Sequence, residues 1–193
     1  MIGIFGGSFN PPHVGHLAVA EACAEAAGLD RVLFVPAATP PHKRGDPSLA
    51  PPSARLAMVE AAVSDNPRFE VSDVEVTRGE VSYTVDTLRQ LAVDHEELAL
   101  ILGGDSLAGF PTWREPEAIV DLARLVVYRR PVDGVDLAAL PDWLAERVTV
   151  VEGPLLELSS TELRARLAEG RTVRYLVPDA VRDVIDREGL YRG

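Results

Sequence analysis

The apolar positions of this chain alternate between short continuous runs and longer stretches spaced three and four residues apart. The run Met1 to Phe5 reads as a buried strand, and the alanine-rich segment Leu17 to Ala27 carries helical spacing. Gly28-Leu29-Asp30 reads as a helix stop before a second buried strand, Arg31 to Val35. Parallel strands joined in this way cross over right-handedly, which begins a doubly wound sheet. Pro51 to Val63 predicts a helix, with Leu56, Met58, Val59, Ala62 and Val63 on its apolar side, and Asn66-Pro67 ends it. Phe69 to Val76 then reads as a half-exposed strand with a break near Ser72-Asp73. The stretch Ser82 to Leu88 opens another helix, with Thr84 as its expected N-cap. Leu98 to Leu102 is the most apolar strand of the middle region. Glu115 to Leu122 reads as a helix, Arg124 to Arg130 as a strand, the region around Trp143 as a short helix and Val148 to Val151 as a strand. Helices starting near Ser159 and spanning Pro178 to Arg187 close the chain. The expected architecture is α/β: a doubly wound, mostly parallel sheet with helices on both faces, in a single domain over residues 1–193.

Composition narrows the partners. The formal charge of −11 argues against a nucleic-acid polymer, whose binding rests on clustered Lys and Arg. A small anionic substrate needs only a local positive pocket. Cys23 is the single cysteine, which leaves no disulfide framework and no cysteine zinc site. No segment has the length and apolarity of a signal peptide or a membrane span, so the expectation is a cytoplasmic protein with no membrane partner. Composition does not decide between a monomer and a homo-oligomer.

The chemistry concentrates after the first strand. Gly6-Gly7-Ser8-Phe9-Asn10-Pro11-Pro12-His13-Val14-Gly15-His16 runs from strand to glycine turn to helix, the arrangement that binds phosphates in open parallel sheets. His13 and His16 are three apart, so both rings can lie on one face of the first helical turn. The phosphate loop ending in G-K-[ST] is excluded by the missing lysine, and G-x-G-x-x-G does not occur here. An isolated histidine at such a place reads equally well as a core or capping residue; the joint pattern is harder to obtain by chance. Lys43, in Pro40-Pro41-His42-Lys43-Arg44, is the only lysine in the protein and leaves the carboxyl end of the second strand. Asp105, after Gly103-Gly104, either accepts from ribose hydroxyls or caps the next short helix. Trp113 reads as core, interface or ligand platform. Ser159-Ser160-Thr161-Glu162 has the form of a capping box, which leaves Arg164 unexplained as a cationic fork on the first turns of that helix.

With these residues in view, the chain resembles the nucleotidylyltransferase superfamily, whose hallmark H-x-G-H is matched by His13-Val14-Gly15-His16. Ser8 and Asn10 stand where threonine and aspartate are usual. Further segments resemble the branch of bacterial nicotinate-nucleotide adenylyltransferases: P-x-x-x-P-P-H-K ending at Lys43, S-Y-T-x-D-T-L at Ser82 to Leu88, G-G-D at Asp105, and S-S-T-x-x-R at Ser159 to Arg164. The resemblance implies a Rossmann-like fold and transfer of AMP from ATP to nicotinate mononucleotide, with Mg2+ carried by ATP. It implies that Gly6, Gly7, Ser8, Phe9, His13, His16, Gly103, Asp105, Ser159, Ser160, Thr161 and Arg164 contact ATP. It also implies that Lys43, Tyr83, Thr84, Asp105, Trp113 and Arg130 face the nicotinate nucleotide, and that His16, His13, Lys43 and Arg164 carry catalysis. Rival readings are a phosphopantetheine or nicotinamide-mononucleotide adenylyltransferase, a nucleotide-binding regulator without catalysis, and a zinc protein built on the two histidines.

Overall fold

The computed structural model describes residues 1–129, 140–153 and 156–192. Six strands, β1 (Ile2–Gly7), β2 (Arg31–Pro36), β3 (Phe69–Val71), β4 (Leu98–Gly103), β5 (Ala123–Arg129) and β6 (Val148–Glu152), form one sheet in the order β3-β2-β1-β4-β5-β6. Helices α1 (Val14–Ala26), α2 (Pro52–Val63), α3 (Val74–Arg78), α4 (Thr84–Leu91), α5 (Gly104–Gly109), α6 (Pro116–Leu122), α7 (Asp142–Ala145), α8 (Ser160–Ala168) and α9 (Asp179–Glu188) surround it. The strands are parallel: Ile2 pairs with Leu98, Leu98 with Ala123, and Leu125 with Val148. The strand order reverses between β1 and β4, and in sheets of this order the crevice at that reversal receives ligands. The expected doubly wound α/β architecture is the observed one.

The chain divides into two compact units. The first comprises Met1–Phe5, Val19–Leu33 and Tyr83–Leu155. Its centre is β4, whose residues Leu98, Ala99, Leu100, Ile101 and Leu102 are all buried, flanked in β5 by buried Leu125, Val126 and Val127. A parallel strand covered on both faces needs a continuous apolar run rather than an alternating one, and this is what the sequence supplies. The second unit comprises Gly6–Ala18, Phe34–Ser82 and Leu156–Gly193. Here α2 packs on α9, burying Ala54, Met58, Val59, Ala62 and Val63 on one helix and Val181, Val184 and Ile185 on the other.

Two local expectations change. The strand expected over Phe69 to Val76 stops at Val71, and Val74 and Val76 lie instead in α3. The reason is at the Ser72-Asp73 break: Thr77 Oγ1 donates to the Asp73 carboxylate at 2.8 Å, and the Ser72 hydroxyl accepts from Val74 N–H at 3.4 Å. These short side chains draw the backbone into a turn and away from the ladder. The N-cap of α4 is Tyr83 rather than Thr84. Tyr83 is extended, and its carbonyl takes the first helical bonds, from Asp86 N–H and Thr87 N–H, which puts Thr84 inside the first turn.

Because the interior of the first unit is close-packed around β4, Leu100→Ala should lower the unfolding free energy by about 2–5 kcal/mol. Urea denaturation followed by circular dichroism measures it directly.

Candidate active site

The turn after β1 is shaped from within. Phe9 sits at φ 46 with its ring buried, edge-on to the His16 ring at 5.1 Å and tilted against Phe34 at 5.7 Å. The following Asn10–Pro11 peptide is cis. The chain then enters α1, where the imidazoles of His13 and His16 stack with centroids 3.7 Å apart and planes 31° from parallel. His13 N–H donates to His16 Nδ1 at 3.1 Å, so the neutral His16 ring carries its proton on Nε2. A Cβ on Gly15 would stand 3.0 Å from His13 Nδ1, so the glycine of H-x-G-H makes room for the folded-back His13 ring. His13 Nδ1 is buried and has no hydrogen-bond partner among the described residues.

Burial pushes the His13 imidazole down to about 4, and burial together with the neighbouring His13 pushes His16 well below the ordinary histidine value. Both rings are therefore neutral at pH 7. Stacked at this distance, they could not both be charged without an anion beside them.

Cations surround the same turn. Lys43, at the end of a 3-10 turn over Pro41–Lys43, donates from Nζ to Ser8 Oγ at 3.1 Å. Burial lowers its pKa, with the Arg164 charge as the next cause. Arg164 on α8 donates from Nη1 to the Asn10 carbonyl at 2.9 Å and from Nη2 to Ser48 Oγ at 3.3 Å. Ser159 caps α8 by accepting from Glu162 N–H at 3.1 Å, which is half of the expected capping box. Ser160 ties the same helix to the turn, its hydroxyl donating to the Pro11 carbonyl at 2.8 Å. Thr161 is exposed, with Oγ1 3.5 Å from Arg164 Nη2.

Arg55, which sequence reasoning did not single out, and Asn10, noted there only as a replacement for the usual aspartate, hold this assembly. Arg55 of α2 is 0% exposed and donates to three carbonyls: Ala50 from Nε at 2.9 Å, Ser8 from Nη1 at 2.9 Å and Ala38 from Nη2 at 2.8 Å. Its position on the apolar stripe with Met58, Val59 and Ala62 was the available signal, because a charge on a buried face needs partners. Asn10 is 2% exposed; its Nδ2 donates to the Ser48 carbonyl at 2.9 Å, while Oδ1 accepts from Ala50 N–H at 3.0 Å and from Tyr191 O–H at 2.7 Å. A carboxylate has no hydrogen to give Ser48, so asparagine in place of the usual aspartate suits this loop.

The first unit gathers a second group. Tyr83 and Thr84 open α4, both half-buried. The Arg114 guanidinium lies 4.7 Å above the Tyr83 ring and donates to Asp86 Oδ2 at 3.2 Å. Glu115, at φ 52, receives both terminal nitrogens of Arg89, at 3.3 and 2.5 Å. The half-exposed Trp113 indole tilts against Phe110 with centroids 5.2 Å apart. Asp105 is exposed at the start of α5, its Oδ1 accepting from Ser106 N–H at 2.9 Å. A Cβ on Gly103 would come within 2.6 Å of that oxygen, so glycine there lets the carboxylate fold back. Arg130 lies outside the described residues.

Among the described residues, no cluster of three or more His, Cys, Asp or Glu side chains is placed to hold a metal ion, and no helix is long and apolar enough to cross a membrane. Around the histidine turn Lys43 and Arg164 supply cations, and the nearby Asp46 carboxylate is engaged by Ser48 N–H at 2.8 Å. This donor set fits a divalent cation only as a chelate of a substrate's own phosphates, since such a cation prefers oxygen ligands.

Residues 4–166, which carry the stacked histidines and the cations around the strand-to-helix turn, match the cytidylyltransferase-like family. A protein of Roseiflexus sp., named a probable nicotinate-nucleotide adenylyltransferase, is 52% identical over 99% of this chain and 98% of its own. Relatives of the same name are 50% identical in Salinibacter ruber, over 99% of this chain and 97% of the relative, and 47% identical in Thermus thermophilus, over 99% of each. The chain belongs to the nicotinate-nucleotide adenylyltransferase family. Its fold matches the solved Plasmodium falciparum nicotinic acid mononucleotide adenylyltransferase complexed with NaAD, with a TM-score of 0.79 at 21% identity over 98% of this chain and 96% of that one.

Two outcomes follow from the site's construction. Arg55→Met keeps volume but strips three carbonyls, those of Ala50 and Ala38 in buried bonds and that of Ser8 in a part-buried one, of their donor, so unfolding free energy should drop by about 3 kcal/mol or more, read from urea midpoints. His13 titrates near 4 when folded against 6.5 ordinarily, so the unfolded chain binds more protons between those values. Stability should accordingly fall as pH is lowered from about 6.5 to 4, by about 3 kcal/mol from His13 alone. His13→Gln should flatten the dependence of the urea midpoint on pH across that window.

Proposed function

We propose that this protein transfers the adenylyl group of ATP to nicotinate mononucleotide, giving nicotinate adenine dinucleotide and pyrophosphate. A phosphate oxygen of the mononucleotide attacks the α-phosphorus of ATP. The bond from that phosphorus to the bridging oxygen breaks, and pyrophosphate leaves with its electron pair. The nucleophile is already ionised at neutral pH, so the reaction needs positioning and charge neutralisation rather than a strong general base.

The observation that carries this reading is the gathering of stacked His13 and His16, Lys43 and Arg164 around one glycine turn, with Lys43 donating to Ser8 Oγ and Arg164 to the Asn10 carbonyl. Such a set is complemented by a polyphosphate. In this reading Gly6, Gly7, Ser8 and Phe9 form the bed of the ATP phosphates. The imidazole N–H groups of His13 and His16 meet the reacting phosphate, and Lys43 and Arg164 offset charge developing toward pyrophosphate. Ser159, Ser160 and Thr161 present the α8 terminus to the same phosphates, where exposed N–H groups favour anions. Gly103 and Asp105 serve the ribose. Mg2+ accompanies ATP and screens its charge.

Acceptor choice belongs to the first unit. Trp113 stacks on the pyridine ring from its exposed face, and Tyr83 and Thr84 direct the opening turn of α4 at the pyridine carboxylate.

Pyrophosphate release with ATP and Mg2+, measured with nicotinate mononucleotide, nicotinamide mononucleotide and phosphopantetheine as acceptors, tests the reading. Nicotinate mononucleotide should be preferred; preference for either of the others would overturn the acceptor assignment. His16→Ala should reduce kcat by about 10²–10³-fold with the fold intact, the scale for losing one positioned donor to a transition state. Trp113→Ala should raise KM for the mononucleotide more than KM for ATP, and the reverse order would sink the stacking assignment.

A further inference from the structure

The last turns of the chain are bonded to the turn that binds phosphate. After α9 ends at Gly189, the backbone folds back: Leu190 N–H donates to the Ile185 carbonyl at 3.0 Å, and Tyr191 takes a left-handed conformation at φ 60. That conformation is unfavourable for an aromatic residue and persists only where surrounding contacts hold it. The contact here is specific. Tyr191 O–H donates to Asn10 Oδ1 at 2.7 Å across 181 positions of sequence. Burial raises the phenol's pKa, so it remains a donor over the whole working range.

Both polar atoms of the Asn10 side chain and its backbone carbonyl are engaged. Its amide oxygen receives Ala50 N–H and Tyr191 O–H, its amide nitrogen gives to Ser48, and its backbone carbonyl receives Arg164 Nη1. The pattern also settles the amide's orientation, since the Ala50 N–H needs an oxygen and the Ser48 carbonyl needs a donor. Through Asn10 the tail therefore bears on the Arg164 guanidinium, whose second nitrogen is held by Ser48 Oγ. Arg55, which fixes Ala50 and Ser8 by their carbonyls, keeps the other ends of the network from following if one bond is lost.

We propose that Tyr191 is a positioning residue for the adenylyl transfer: its hydroxyl fixes Asn10, and Asn10 in turn fixes the Arg164 fork that meets the ATP phosphates. This rests on the assignment of Arg164 to ATP. The C-terminal helix is thereby part of the phosphate site without touching substrate. The hydrogen bonds that aim Arg164 among the described residues go to neutral acceptors, the Asn10 carbonyl at 2.9 Å foremost, with the Asp46 carboxylate acting on it only through its charge.

The test is steady-state kinetics of Tyr191→Phe, Arg164→Ala and the double variant, with urea midpoints measured alongside. Tyr191→Phe keeps the ring and removes one hydrogen bond, so kcat/KM for ATP should fall by about three- to tenfold, while KM for nicotinate mononucleotide stays within about twofold. Arg164→Ala should cost far more, and adding Tyr191→Phe to it should cost nothing further in ATP use, because the two act through one path. Equal losses toward both substrates, or a full additional loss in the double variant, would mean that Tyr191 only stabilises the fold and would overturn the proposal. If Arg164→Ala itself left ATP use untouched, the phosphate assignment would fall first. A normal Tyr191→Phe beside an impaired Arg164→Ala would refute the positioning role alone.

Discussion

A buried guanidinium without an ion-pair partner among the described residues is the constraint on which this site depends. Arg55 is fully enclosed, and its compensation comes from the carbonyls of Ser8, Ala38 and Ala50. Three separate segments of the second unit are thus drawn to one point: the glycine turn, the end of the second strand's loop and the start of α2. Neutral acceptors offset desolvation only if all are present with good geometry. Once they are, Ser8 is set where Lys43 can reach its hydroxyl, and the Ala50 N–H is set where Asn10 can accept it.

The electrostatic result is a concentration of positive charge in a chain whose net charge is −11. Lys43 is held below its ordinary pKa first by burial and then by Arg164, and the two histidines are neutral beside them. A polyphosphate reverses each of these costs. It favours the charged forms of the lysine and the imidazoles and gives His13 Nδ1, which has no partner among the described residues, a reason to carry hydrogen. Preorganised donors of this kind cost no rearrangement when charge develops in the reaction, which is the main source of their effect on rate.

Much of this was legible in the sequence where the signal is local. The strand, glycine turn and H-x-G-H helix are consecutive, and apolar runs such as Leu98 to Leu102 admit one reading in a chain that alternates with helices. Local competition explains the misreadings: Asp73 and Ser72 capture backbone groups and turn Val74 and Val76 into helix, and Tyr83 rather than Thr84 takes the cap because its carbonyl starts the α4 ladder. What was not legible is long-range. Arg55 reaches Ser8 across 47 residues and Tyr191 reaches Asn10 across 181, and no periodicity announces such bonds. Arg55 left a faint trace as a charge on an apolar stripe. Tyr191 left none, being one aromatic residue after a helix stop.

If the ATP polyphosphate is received at the glycine turn of the second unit, as proposed, the neutral histidines there take up protons as the ligand binds. Titration calorimetry of ATP with Mg2+ into the protein without acceptor, repeated at pH 6.5 in buffers of different ionisation enthalpy, tests it most directly. Saturable binding with net proton uptake that is diminished in His13→Gln is expected. Binding with no proton uptake, or with uptake unaffected by that substitution, would contradict it.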